Sequence, residues 1–265
     1  MSAEYLSMGY GQILAATLLI IVNMGISLVL GLALERRLLV ASARTVVQLS
    51  LLGFVLGWVY QHPQWYVLFP VAGLMTFVAG HAAIRRVRRT YPKALVTGTT
   101  AMAAGSWSIT LIGLIVIVRP TPWYAPQYAI PLLGMILGNT LNGISLGIDR
   151  FGEELVNKRD RIETLLALGA TRWEAAHEPM REALRTGMTP IINSMSVVGI
   201  VSIPGMMTGQ LLAGVVPVEA VRYQMIIMFM IASGTALGTL LAVLLSYFRL
   251  FSNKHQLLVS QLTSR

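Results

Sequence analysis

A hard metal ion calls for carboxylate or imidazole donors, and this chain offers eleven acidic residues and four histidines among 265 residues. All eleven acids fall outside its apolar stretches or at their rims, and His62, His81, His177 and His255 share no ligand spacing. No intramembrane cage of hard ligands is visible, and the metal ligands, if any, are unknown from the sequence. Thioethers are more plentiful: the 14 methionines include Met206, Met207, Met225, Met228 and Met230. They are soft donors suited to Cu(I), although flexible Met more often fills gaps in packing. With zero cysteines the chain has neither thiolate sites nor disulfides. It also lacks a carboxylate pair or histidine cluster with catalytic spacing. No G-x-x-x-x-G-K-[ST] loop is present to cradle ATP, so the chain reads as a non-enzyme with no cofactor of its own.

The remaining polar groups inside apolar sequence are mostly uncharged. Arg44 and Gln48 stand one helical turn apart and share a face; intramembrane ionisable residues look toward a bundle interior or a water-filled path. The competing reading is that Arg44, two turns from a basic rim, snorkels to the interface. Asn139 and Asn142, with Asn193 and Ser196 further on, are either pathway-lining groups or interhelical hydrogen-bond partners. Arg44, Gln48, Asn139, Asn142, Asn193, Met206 and Met207 together form the candidate substrate pathway.

The elements that must carry these residues are membrane helices. The composition is 55% hydrophobic and 12% charged, with a mean hydropathy of +0.68, against roughly 25% charged in soluble domains. Seven apolar stretches occur, at 12–34, 38–60, 65–84, 99–118, 128–148, 189–203 and 224–248. Most reach the ~20 residues a helix needs to cross the hydrocarbon core. The sixth is short, because Pro204-Gly205 ends it, and 204–223 reads as a re-entrant or interfacial piece. The expected fold is all-α: one polytopic permease domain over 1–265 with about seven spans. Seventeen of the twenty Lys and Arg residues follow spans 1, 3, 5 and 7, including Arg265 in the tail; only Arg119 and Arg222 lie on the other side. By the positive-inside rule the N-terminus is outside and the C-terminus inside. The net charge of +9 then marks topology and anionic lipid contacts rather than nucleic acid. Residues 1–10 lack a basic n-region, so no cleavable signal peptide is expected.

One long polar segment, 149–188, interrupts this pattern on the expected cytoplasmic side. Ile162, Leu165 and Leu166 recur at helical spacing, with Arg159, Asp160 and Glu163 on the opposite face. Gly169 suits a helix stop. Thr171 followed by Glu174 is a capping box that starts a second helix near Arg172, and Pro179 is expected to kink or restart it. Three glycine pairs, 134/138, 143/147 and 234/238, permit close helix approach within or between protomers.

The run Glu163, Leu166, Gly169, Ala170, Thr171 and Trp173 resembles the cytoplasmic coupling loop of ATP-binding-cassette permeases, with Thr164 and Leu165 where two alanines are usual. In the smallest such permeases five helices form the core, which leaves spans 1 and 2 here as an addition. Three blocks resemble the FetB-type permease family: Arg44-Thr45-Val46-Val47-Gln48-Leu49, Ile130-Pro131-Leu132-Leu133-Gly134-Met135-Ile136-Leu137-Gly138-Asn139, and Ser202-Ile203-Pro204-Gly205-Met206-Met207-Thr208-Gly209. The tail Asn253-Lys254-His255-Gln256-Leu257 also fits. That family comprises bacterial iron-export permeases and plant aluminium-tolerance permeases, the latter linked to nucleotide sugars. The resemblance implies a homodimeric inner-membrane permease that exports iron or another metal, driven by a separate ATPase subunit carrying ATP and Mg. A nucleotide sugar or other organic solute is the alternative cargo. A secondary transporter would need an intramembrane acid for ion coupling, and none is present.

Overall fold

The structure is a computed structural model and describes residues 9–264; residues 1–8 and Arg265, which figured in the reading of the two termini, lie outside the described residues. The described chain is helical almost throughout, as composition implies. It separates into two compact units, Met1–Pro63 with Leu212–Val215, and Gln64–Leu211 with Val216–Arg265.

The first unit is a helical hairpin of α1 (Tyr10–Val29) and α2 (Glu35–Gln61). Its turn is tied by Ser27, whose hydroxyl accepts the Leu34 N–H (3.0 Å) and donates to Glu35 Oε2 (3.1 Å). The first of these bonds occupies a backbone N–H that a helix start leaves without an intrahelical partner. Large apolar side chains such as Leu19, Val29 and Phe54 stand exposed, as expected where the surrounding solvent is lipid.

The second unit holds α3 (Trp65–Arg85), α4 (Ala94–Ile112), α5 (Pro126–Asn157), α6 (Arg159–Ala167), α7 (Arg172–Val197), α8 (Gly205–Leu212) and α9 (Pro217–Leu250). Both α5 and α9 begin with Pro at the first turn, where the missing N–H costs nothing and φ is preset. α9 packs on α4, α5 and α7, and α3 packs on α4 and α5. In lipid, helices gain little by hiding apolar surface, so close approach of small residues must hold them. A Cβ on Gly105 would stand 2.6 Å from Gly238 Cα, and one on Gly187 would stand 2.7 Å from the Gly143 carbonyl oxygen. The pairs 143/147 and 234/238 are therefore seams inside the protomer. Gly138 meets nothing within 4 Å.

Among the described residues six helices are long and apolar enough to cross a membrane, against the seven spans expected. The stretch 189–203 does not form a separate span. Its helix is the far part of α7, which carries Glu174, Glu178, Arg181, Glu182 and Arg185 in its first half and ends at Val197. A tight turn follows, with Gly199 at φ +82° and its N–H on the Ser202 carbonyl. Segment 204–223 resolves into α8 and the first turns of α9. Pro179 does not restart the helix: α7 runs through it from Arg172 to Val197. Proline removes one helix bond, and here its ring is buried beside Ala175, Ala176, Met180 and Ala183, where packing outweighs that loss.

At the polar end of this unit the core continues beyond the apolar spans through Phe151, Leu155, Ile162, Tyr247 and Phe251. Fully burying each such side chain away from water contributes about 1.5–3 kcal/mol. A short antiparallel pair, β1 (Arg89–Thr90) with β2 (Thr263–Ser264), anchors the C-terminal tail there.

Candidate functional site

Residues 149–188 are not a loop but the end of α5, the whole of α6 and the start of α7. α6 buries Ile162 and rests Leu165 and Leu166 against the core, while Arg159, Asp160 and Glu163 stay exposed. Its end is a glycine-dependent cap: Gly169 at φ +92° donates to the Leu166 carbonyl (3.1 Å), and Ala170 N–H bonds the Leu165 carbonyl (3.0 Å). This two-bond closure is the Schellman arrangement, in which a left-handed residue satisfies the last carbonyls.

α7 then starts from a complete capping box. Thr171 Oγ1 accepts the Glu174 N–H (3.3 Å), and Glu174 Oε2 accepts from both the Thr171 N–H and its hydroxyl (2.8 Å each). The Thr171 backbone N–H, then its hydroxyl, hold the Glu174 carboxyl below the usual carboxylate range. The outcome is a rigid hairpin whose tip presents Leu168, 80% exposed, and Trp173, 48% exposed. Trp173 is not loose: its ring meets Tyr247 of α9 edge-on at 5.6 Å.

The hairpin is fastened by an ion network that sequence reasoning missed. Glu154 of α5 is buried, with Arg150 Nη2 at 2.6 Å and Lys158 Nζ at 2.8 Å. Lys158 also reaches Glu178 of α7 at 2.9 Å, and Arg161 of α6 reaches the other Glu178 oxygen at 3.0 Å. The Lys158 hydrogen bond lowers the Glu178 carboxyl, and Glu154, then Glu178, raise the Lys158 ammonium. Glu154→Lys158 at i,i+4 is a pairing legible from spacing. Lys158 with Glu178 is not, because only the fold brings them together. Glu163, in contrast, pairs among the described residues with its own helix neighbour Arg159, at 2.7 Å.

The tail adds a second unforeseen fastening. His255 Nδ1 accepts the Arg172 backbone N–H (2.9 Å), and Arg172 Nη1 donates to Asn253 Oδ1 (2.8 Å) and the Ser252 carbonyl (3.3 Å). The Arg172 guanidinium lies 5.8 Å from the Tyr247 ring centroid and 5.9 Å from that of Phe248, within cation–π range.

The candidate pathway residues are dispersed. Arg44 and Gln48 are exposed on α2 of the first unit, where Arg44 borders a surface depression with Arg36 and Arg37. The others belong to the second unit. Asn139 Nδ2 donates to its own helix at the Met135 carbonyl (2.9 Å), and Asn142 Oδ1 accepts from Arg86 Nη1 (2.8 Å). Asn193 is exposed on α7, and Met206 and Met207 are partly buried on α8. Met207 lines a cavity of about 430 Å³ between α7, α8 and α9. Among the described residues no three His, Asp or Glu side chains gather as a metal site.

A family model described as "Uncharacterised protein family (UPF0014)" matches residues 10–251. The chain is 41% identical to a UPF0014 membrane protein of Synechocystis over 86% of this chain and 88% of that one. It is 32% identical to "Probable iron export permease protein FetB" of Escherichia coli, covering 94% and 95%. It is 30% identical to "Protein ALUMINUM SENSITIVE 3" of Arabidopsis thaliana, covering 92% and 88%. No solved structure matches it.

Proposed function

This chain belongs to the UPF0014 family of multi-pass membrane proteins, and from that premise we propose that it is the permease subunit of an ATP-binding-cassette exporter. Two copies form the pathway, and a separate ATPase, which holds ATP and Mg, docks from the cytosol on the α6–α7 hairpin. The observation that carries this reading is the hairpin itself. A capped, ion-paired helical corner projects Leu168 and Trp173 from the polar end, while its second helix runs on unbroken as α7, packed on α5 and α9. A push on the corner is thereby delivered along a rigid element, as hinge or shear switching requires.

The cargo is a metal ion, iron on the similarity to the E. coli permease. With Lys and Arg concentrated at the hairpin end, that end faces the cytoplasm. In this arrangement Glu163, Leu166, Gly169, Ala170, Thr171 and Trp173 serve ATPase coupling. Among the described residues Glu163 has only its Arg159 partner to lose, so its role is at the docking surface.

The test is reconstitution in proteoliposomes with a separately purified ATPase subunit. Iron, other metal ions and a nucleotide sugar are compared as cargo. Transport of iron that requires ATP and the second subunit supports the reading. Glu163→Ala is expected to retain insertion and thermal stability while weakening stimulation of the ATPase. ATP hydrolysis by the purified permease alone, or transport without ATP, would overturn the two-subunit scheme.

A further inference from the structure

A cavity of about 430 Å³ opens between the end of α7, the α7–α8 turn, α8 and the first half of α9. Four thioethers line it from three different helices: Met195 of α7, Met207 of α8, and Met225 and Met228 of α9. Gln224 lines it too. It is 8% exposed as a residue and adds a neutral amide to the wall.

The donors decide what that something is. Every lining side chain is uncharged, and the nearest charged pair on α9, Glu219 with Arg222 at 2.8 Å, is already self-neutralised. The penalty for taking an ion out of water grows with the square of its charge, so neutral thioethers face a roughly ninefold larger burden from a trivalent ion than from a monovalent one. Thioethers are also soft ligands that favour Cu(I) over hard cations. The C-terminal end of α7, at Met195–Val198, contributes the negative end of a helix dipole. Methionine's three rotatable bonds let the sulfurs converge on an ion smaller than the void.

We propose that this cavity binds a soft monovalent cation, Cu(I) or its analogue Ag(I), through the thioethers of Met195, Met207, Met225 and Met228. Binding by the permease is independent of the transporter reading; transport of that ion rests on it. The inference concerns a second class of metal ion, soft and monovalent, and stands beside the iron cargo proposed above rather than replacing it.

The experiment uses purified full-length permease in detergent under anaerobic conditions. Cu(I) is titrated in competition with bicinchoninate, with Ag(I) and Fe(II) in parallel arms. Stoichiometric withdrawal of Cu(I) from the chelator is expected, with a sulfur-dominated X-ray absorption spectrum. The volume-conserving pair Met207→Leu and Met228→Leu should weaken binding at least tenfold, whereas Met24→Leu on α1 should not change it. Met225→Leu, at a half-exposed position, gives the same readout with the least disturbance to packing. Equal affinity for Fe(II), or Cu(I) binding indifferent to these leucine variants, would overturn the assignment, as would retention of lipid or detergent as the cavity's sole ligand. Because no ATPase is present, a negative result is distinguishable from failure of the two-subunit scheme.

Discussion

Gly169 shows how much one backbone angle controls at the hairpin tip. At φ +92° a side chain meets its own backbone, and alanine there costs about 1 kcal/mol. Nothing else opposes it, since no atom lies within 4 Å of the added Cβ. Gly169→Ala is therefore expected to lower the thermal midpoint slightly. Gly169→Pro goes further, because it also deletes the N–H bonded to Leu166; it should abolish ATPase stimulation while the protein remains inserted. Glu174 gives a second residue-level test, in pH. Its carboxyl is held low by the Thr171 N–H and hydroxyl, so the folded state favours the ionised form. That contribution is complete above the ordinary glutamate range and disappears as pH falls through the lowered value. The stability difference between wild type and Glu174→Gln, followed by thermal unfolding at successive pH values, should shrink toward zero in acid. A difference that persists unchanged at low pH would show that the carboxylate charge is not what matters.

At the scale of elements, what could be read in advance was what depends on near neighbours. The apolar runs declare the spans, and Gly169 and Thr171–Glu174 declare a stop and a start three residues apart. Where α7 should end was less legible, because Pro179 and the charges before it suggest a break that long-range burial of Ala175, Ala176 and Met180 overrides. The Lys158–Glu178 contact was invisible for the same reason: its partners lie on different elements, with α6 between them. It supplies its own prediction. Lys158 is raised by Glu154 and Glu178, and Glu178 is lowered by Lys158. The network is hence intact across neutral pH, weakening in acid as Glu178 titrates and in alkali as Lys158 does. Since the chain has zero cysteines, spin labels at Thr164→Cys and His177→Cys report the α6–α7 distance without background. The distance distribution should be narrow at neutral pH and broaden at both extremes; in Glu178→Gln it should be broad throughout. A half-exposed network of this kind contributes modestly, so broadening rather than unfolding is expected.

For the whole molecule, the tail decides whether the hairpin moves alone or with the rest of the polar end. Chain beyond α9 returns across that end: Phe251 bridges Leu257, Leu257 and Leu262 rest on the core, and Thr263 pairs with Thr90 after α3. On the way, Asn253 and His255 take hydrogen bonds from Arg172 at the start of α7. One strap thereby ties the α3–α4 connection to the helix that receives the hairpin. Two kinds of contact share this work, and their magnitudes differ. His255→Ala removes an acceptor from an exposed N–H that water can satisfy, a loss of about 1 kcal/mol at most. Leu262→Asp places a charge against the buried core beside Gly152 and should release the strand altogether, since an unpaired carboxylate there faces a penalty of several kcal/mol. Limited proteolysis of the reconstituted permease is the measurement. Cleavage at Lys254 should be slow in the wild type, modestly faster in His255→Ala and rapid in Leu262→Asp, with ATPase stimulation falling in the same order. If Leu262→Asp leaves both cleavage and stimulation at wild-type values, the strap has no part in transmitting motion, and α7 alone must carry it.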